Sequence, residues 1–327
     1  MNEIIKWGIL GPGRIAGKFA AALKESEGAE LAAVGSRSLE RAERFASKFG
    51  FTRAHGSYEA LAGDAEVDAV YIGTPHSRHR DDTILCLEAG RHVLCEKPFA
   101  INAAEAEEMI AEARDGKRAL MEAMWMRFMP SILKVRELVE AGEIGEIRKI
   151  TADFGFRAEF DPESRIFDPA LGGGALLDVG VYPVSLAFYL LGEPAEVGGR
   201  AHIGGTGVDE ESTAILEYET GAQAILTMAV RREGSKEAHI LGSAGSIWIP
   251  EPWWKSDIIV VRHEGRRERT IDLPRLENGF IYQAEELMGL IRDGRTESSM
   301  MPLDDSLAVM RILDRIRKHW GLIYPME

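Results

Sequence analysis

The sequence predicts an α/β protein: an N-terminal doubly wound parallel sheet, followed by an α+β domain with an open, largely antiparallel sheet. Three observations carry this. Strand-length apolar runs alternate with helix-length runs from the first residues to about residue 122, the pattern of repeated βα units. The first apolar run leads into GPGRIAG, a glycine turn suited to joining a strand to a helix. Beyond residue 123 the alternation stops, and runs such as STAILEYETGAQAILTMAVRR carry period-two hydrophobicity on both sides of a turn at Thr220-Gly221. The expected domains are residues 1–122 and 123–327.

In order, IIKWGIL is a buried-strand candidate, and IAGKFAAALKESEG has helical apolar spacing. Gly11 would make the turn, Gly13 would let the backbone approach a pyrophosphate, and Ala16 takes the helix-packing position of a Rossmann-type fingerprint. Arg14 and Ile15 open the helix, whose free N–H groups would lie under the phosphates. The same glycines would also serve a purely structural turn.

The next strand, AELAAVGSRS, bears on which dinucleotide is bound. A ribose 2′-hydroxyl usually meets an Asp or Glu here, and this chain has none. Ser36 and Arg37 stand there instead, with Arg41 one helical turn on, a set suited to a 2′-phosphate. NADP is therefore expected over NAD. The competing reading is a helix cap at Ser36 or Ser38 beside two solvated arginines.

The alternation continues with a helix in LERAERFASKFG, a short element before FTRAH, a helix around YEALAG and a strand in VDAVYIGTP. DDTILCLEAG, HVLCEKP, AAEAEEMIAEARDG and RALMEAMW add helix, strand, helix and strand. In the second half, IRKITADFGFRAEF reads as a strand and GALLDVGVYPVSLAFYLLG as a buried helix with Pro183 in or near a kink. AHILGSAGSIWIP reads as a second hairpin, and DIIVVRHEG and RRERTIDLP as two more strands. One or two helices would cover one face of this sheet. The other face, with Ile215, Ile225, Thr227 and Ala229 on one side of the hairpin strands, would be covered by a second subunit in a homodimer or higher homo-oligomer.

Composition narrows the partners. The 327 residues are 45% hydrophobic and carry a net charge of −14, which argues against nucleic acid and anionic membranes. No charged leader opens the chain and no run is expected to reach membrane-spanning length. Cys86 and Cys95 lack metal or redox spacing, which suits a reduced, cytoplasmic protein. His76 and His79 follow a strand end, but no carboxylate or cysteine completes a metal set with them.

GILGPGRIA, GTPHSRH, AGRHVLCEKP and LGGGALLDVGVYP occur in this order and spacing along the whole chain. On them the sequence resembles the Gfo/Idh/MocA family, named after glucose-fructose oxidoreductase and inositol dehydrogenase. EAMWMRFMP, and a tyrosine at 182 where many inositol-dehydrogenase relatives carry histidine, point to the branch of dimeric dihydrodiol and NADP-dependent aldose dehydrogenases. The resemblance implies that Thr74 and Pro75 lie beside the nicotinamide ribose, with His79 as a helix-start or cofactor contact. It also implies a cis Pro98, a functional Glu96-Lys97 pair, and Trp125 and Arg127 as walls of the nicotinamide end. From the residues alone Lys97 reads rather as a solvated rim lysine, and the alternative for Trp125 and Arg127 is a core aromatic and a domain-interface ion pair.

Asp178 and Tyr182 are four apart and share a helix face, after three glycines, Gly172 to Gly174, that let the backbone come close to something. The alternative is a capped helix with Tyr182 as an interior aromatic. The implied activity is hydride transfer between the nicotinamide and a carbohydrate or cyclic diol. Tyr182 would be the acid/base, Lys97 would hold the substrate oxygen and favour the phenolate, and Asp178 would orient a neighbouring hydroxyl. Trp125, Phe154 and Phe156 would suit the apolar face of such a substrate. Two other readings remain: an NAD-using glycosidase of the same superfamily, which the missing acidic residue opposes, and a non-enzymatic NADP-binding sensor, which Lys97, Asp178 and Tyr182 oppose.

Overall fold

Short apolar runs form strands in the first half because most are buried on both faces between helices, the edge strand over Arg53–His55 being half-buried. The computed structural model describes residues 3–327. Strands β1 (Ile5–Leu10), β2 (Ala29–Gly35), β3 (Arg53–His55), β4 (Ala69–Ile72), β5 (His92–Cys95) and β6 (Leu120–Glu122) form one sheet. They alternate with α1 (Arg14–Leu23), α2 (Leu39–Phe49), α3 (Tyr58–Ala62), α4 (His79–Glu88) and α5 (Ala103–Asp115). The third strand falls within FTRAH rather than before it.

All six strands are parallel, in the order β3-β2-β1-β4-β5-β6. The order reverses between β1 and β4, and ligands bind such sheets at the carboxyl ends flanking a reversal. Phe19 of α1 ties the two strands together, edge-on to Trp7 at 5.2 Å and stacked on Tyr71 at 4.0 Å.

The later elements are α6 (Pro130–Glu140), β7 (Ile147–Gly155), α7 (Val181–Leu191), β8 (Glu196–Ile203), β9 (Asp209–Glu217) and β10 (Gln223–Ala229). They are followed by β11 (Ala238–Gly242), β12 (Ser246–Ile249), β13 (Ile258–Arg262), β14 (Arg269–Asp272), α8 (Phe280–Arg292) and α9 (Leu303–Trp320). The eight strands pair in the order β14-β13-β12-β11-β7-β10-β9-β8. Every pairing is antiparallel except β7 with β10, whose crossover contains α7, so the sheet is mixed. The β9–β10 hairpin sets Ile215 opposite Ile225 and Thr213 opposite Thr227, all half-buried. Ala214, Leu216, Ala224 and Leu226 are fully buried on the other face, while Ala229, which the register keeps on the face of Ile225, is also buried.

Pro183 is the third residue of α7, just past a π-helical turn at Leu176–Gly180. Its missing N–H and its ring fall at the junction, where the helix changes pitch rather than breaks. From Pro169 to Leu191 this helical stretch covers 23 residues with a mean hydropathy of 1.6, longer than any run expected from the sequence. Of its apolar window 78% is buried inside the protein, so its hydrophobicity serves the core.

The chain forms two compact units, Met1–Trp125 with Leu276–Leu307, and Met126–Arg275 with Ala308–Glu327. The return of α8 to the first unit, like α6, α9 and β8, goes beyond the elements read from the sequence. It is fixed by polar contacts to the α1 region: Asn278 Nδ2 donates to the Lys18 carbonyl at 2.9 Å, Arg292 to that of Gly28 at 3.0 Å, and Ser26 to Glu285.

Candidate active site

In the first unit, the turn after β1 is built for close approach. Gly11 has φ +85°, and a Cβ there would strike Thr74 and the Gly73 backbone, so only glycine lets this turn lie against the end of β4. Over Gly13, by contrast, an added Cβ would meet nothing nearer than 3.9 Å, and the residue is exposed. No side chain caps α1 and no acidic residue occupies its first turn. The uncapped N–H groups and the positive end of the helix dipole therefore suit a pyrophosphate over Gly13, Arg14 and Ile15.

After β2, the Ser36 hydroxyl accepts from Ser38 N at 3.3 Å, and Ser38 caps α2 by accepting from Arg41 N at 3.4 Å. The capping role that competed with cofactor binding is thus filled by Ser38. Arg37 and Arg41 are exposed. Burial and Asp82 push the Tyr58 hydroxyl above its ordinary value while the charges of Arg37, Arg78 and Arg41 oppose them.

The Glu96-Lys97-Pro98 turn follows β5, and the Lys97–Pro98 peptide is cis. Glu96 is buried; it accepts from the Tyr71 hydroxyl at 2.5 Å and from Lys97 N at 3.2 Å. Lys97 itself is half-buried. His79 is fully buried, with Nδ1 2.8 Å from the Pro98 carbonyl and Nε2 3.1 Å from that of Thr74. Burial holds this imidazole down to about 4, with the Lys97 charge adding to the effect, so it is neutral near pH 7. His79 thus stands at the start of α4 between two backbone carbonyls, and as a neutral ring it donates to one of them. Trp125 stacks on Phe280 of α8 at 4.7 Å.

In the second unit, Arg127 is 2% exposed and its guanidinium lies 3.9 Å over the Tyr189 ring. This is cation–π packing. Asp178 lies in the π-helical turn and Tyr182 at the start of α7; both are nearly buried. Arg165, absent from the sequence-based set, donates from Nη1 to Asp178 Oδ1 at 2.8 Å. Beside Tyr182 stands an aromatic wall. Phe154 and Trp254 stack at 3.6 Å with a 6° interplanar angle, and their centroids are 5.2 and 6.3 Å from the Tyr182 ring. Trp254 was not anticipated either, while Phe156 stands half-buried two residues beyond Phe154.

Similarity to known proteins agrees with this geometry. Residues 5–124 match the oxidoreductase family model with an NAD-binding Rossmann fold, and residues 132–248 match the GFO/IDH/MocA C-terminal domain. The trans-1,2-dihydrobenzene-1,2-diol dehydrogenase of Xenopus tropicalis is 37% identical over 332 residues, covering 98% of this chain and 99% of its own. The human enzyme of that name is 37% identical over 334 residues, 99% of each chain. Among solved structures, the 3-ketoreductase KijD10 of Actinomadura kijaniata, in complex with NADP and TDP-benzene, superposes with a TM-score of 0.89 at 28% identity, covering 97% of this chain and 98% of its own. The aldose-aldose oxidoreductase of Caulobacter crescentus reaches 0.88 at 28% identity and 97% of each chain. With both halves of the pattern matched in order, the chain belongs to the Gfo/Idh/MocA family of oxidoreductases.

Proposed function

We propose that the protein is an NADP-dependent dehydrogenase acting on CH–OH groups of cyclic diols or sugars, with Tyr182 as the acid/base. The observation that carries the reading is the Tyr182–Asp178 pair set against the Phe154–Trp254 stack: a proton-transfer group, a hydroxyl-orienting carboxylate and a flat apolar wall in one place. Such a wall suits the face of a six-membered ring. The printed activities of the relatives, a dihydrodiol dehydrogenase and an aldose oxidoreductase, support the same substrate class. NAD-type chemistry with NADP in particular is supported by Ser36, exposed Arg37 and Arg41, and the lack of an acidic residue after β2.

When bound, the nicotinamide supplies the hydride acceptor for oxidation. The residues do the rest. Tyr182, as phenolate, takes the hydroxyl proton, and as phenol it returns one to a carbonyl in reduction. Lys97 holds the substrate oxygen and favours the phenolate through its charge. Asp178, paired with Arg165, accepts a hydrogen bond from a neighbouring hydroxyl. Thr74, Pro75, Glu96 and Trp125 frame the nicotinamide end, and Gly11 to Ile15 hold the pyrophosphate. Residues 1–122 thus bind the cofactor, while residues 123–327 bind the substrate and form the oligomer. The half-buried face bearing Ile215, Ile225 and Thr227 is covered by a second copy in a homodimer. The buried free thiols Cys86 and Cys95 suit the reducing cytoplasm.

The test is to incubate the purified protein with NADP and a panel of trans-dihydrodiols and aldoses and to follow absorbance of the reduced cofactor. Turnover of at least one member is expected. NADP binding without turnover of any member overturns the reading.

A further inference from the structure

Two of the three glycines before the Asp178/Tyr182 helix, Gly173 and Gly174, pack against protein. At Gly173 an added Cβ would run into the carbonyls of Ile166 and Asp168, whose chain accepts from Gly174 N at 2.8 Å and Gly173 N at 3.0 Å. Gly174 has φ +112°, and a Cβ there would collide with Asp209 Oδ1. Asp209, the first residue of β9, is fully buried. Its Oδ2 accepts from Leu176 N at 2.8 Å and from the Ser212 hydroxyl at 3.1 Å. Ala175 before this turn offers no capping side chain, so a remote carboxyl does the capping.

The opposite polarity comes from the end of the chain. Tyr324, 1% exposed, donates its hydroxyl to the Gly173 carbonyl at 2.6 Å. Burial pushes this phenol well above its ordinary value, so it remains a donor. The tail is itself fixed: Arg317 pairs with Glu327 at 2.7 Å and with Asp314 at 2.7 Å, and Glu327 accepts from Tyr324 N at 2.9 Å.

We propose that Asp209 and Tyr324 are positioning residues for the proposed reaction: one takes a helix N–H, the other gives to the turn carbonyl, and together they set where Asp178 and Tyr182 stand. This rests on the dehydrogenase reading above. Neither touches substrate or cofactor. They act through a turn two residues from Asp178, where a displacement of about 1 Å is enough to cost on the order of 100-fold in rate.

The experiment compares Tyr324→Phe, Asp209→Ala and Asp209→Asn with the wild type, in steady-state kinetics and in amide hydrogen exchange over residues 174–182. Tyr324→Phe removes one oxygen from a ring that stays packed. It and Asp209→Ala should lower kcat by ~10-fold or more with KM for NADP within about twofold, and both should speed exchange at Leu176 and Asp178. Asp209→Asn keeps an acceptor for Leu176 N and should recover most of kcat and protection. Faster exchange with full kcat overturns the proposal, as does unchanged exchange in both disruptive variants. A wild type that turns over no diol or sugar defeats the dehydrogenase reading instead, while exchange still reports whether the two residues anchor the turn.

Discussion

Replacing Asp209 by asparagine should remove a pH dependence from the stability of the second unit. The Asp209 carboxyl is fully buried, and burial pushes it up to about 7, against the pull of the Leu176 N–H, the Ser212 hydroxyl and the Arg317 charge. Tyr324, a neutral phenol, is the other titratable group facing it. In the unfolded chain an aspartate titrates near ~3.9. Between these values the folded state holds a proton that the unfolded state has lost. The contribution to stability is therefore fully present below pH ~4 and is lost as pH rises through 7. Three pH units at ~1.36 kcal/mol each give about 4 kcal/mol in all, of which about 3 kcal/mol falls between pH 5 and 8.5. Asparagine binds no proton in either state. Thermal unfolding followed by circular dichroism at several pH values should show Asp209→Asn gaining on the wild type as pH rises. At roughly 2–4 °C per kcal/mol, the relative gain is on the order of 10 °C. A separation between the two proteins that stays constant from pH 5 to 8.5 would refute the reasoning.

Tyr182→Phe should abolish most turnover in both directions, with NADP affinity by fluorescence titration changed less than about twofold; near-normal turnover would mean that another group carries the proton. Arg37→Ala should narrow a wild-type NADP preference of roughly 10- to 1,000-fold, mainly by raising KM for NADP, as steady-state kinetics with both cofactors would reveal. Trp254→Ala removes the partner of Phe154 and should raise KM for a cyclic diol ~10-fold while leaving KM for NADP alone. Light scattering at micromolar concentration should report twice the 36.1 kDa chain mass, and a monomer would leave the Ile215–Ile225 face without its second copy.

The first sheet was legible, except at its half-buried edge strand β3, because its other strands are short, largely buried and bounded by glycine or by a helix start. GILGPG and YIGTP end on the two strands that flank the reversal, so a motif and a topology rule meet at the same residues. The helices of the second half carried a signal that went unread. FIYQAEELMGLIR and LDDSLAVMRILDRIRKHW both have apolar residues at helical spacing, but they follow a run of strands that drew attention to period two. Strand β8 carried less, since EVGGRAHI is an edge strand with two glycines and no buried residue. Gly172 to Gly174 declared a close approach without its object. For Gly174 that object is Asp209, 35 residues on, and local pattern holds no record of such a contact. Arg165 was unreadable for the same reason. Trp254 was marked only by PWWK, an aromatic pair in a loop.

The two sets of residues proposed for the reaction are held by anchors of different titration behaviour, and this bears on how a pH–rate profile should be read. The Lys97 turn is braced by His79, held down to about 4, and by a Tyr71–Glu96 hydrogen bond. His79 therefore keeps one charge state through the neutral range. The Tyr182 helix is anchored by Asp209, which changes charge near 7. A step in kcat close to pH 7 would come from that anchor rather than from the group that moves the proton. The phenolate step of the proposed reaction is a separate one, since a tyrosine ordinarily titrates near ~10. Asp209→Asn separates them, because the anchor step vanishes in it while a step belonging to the phenol survives, and Lys97→Met should move only the surviving step upward.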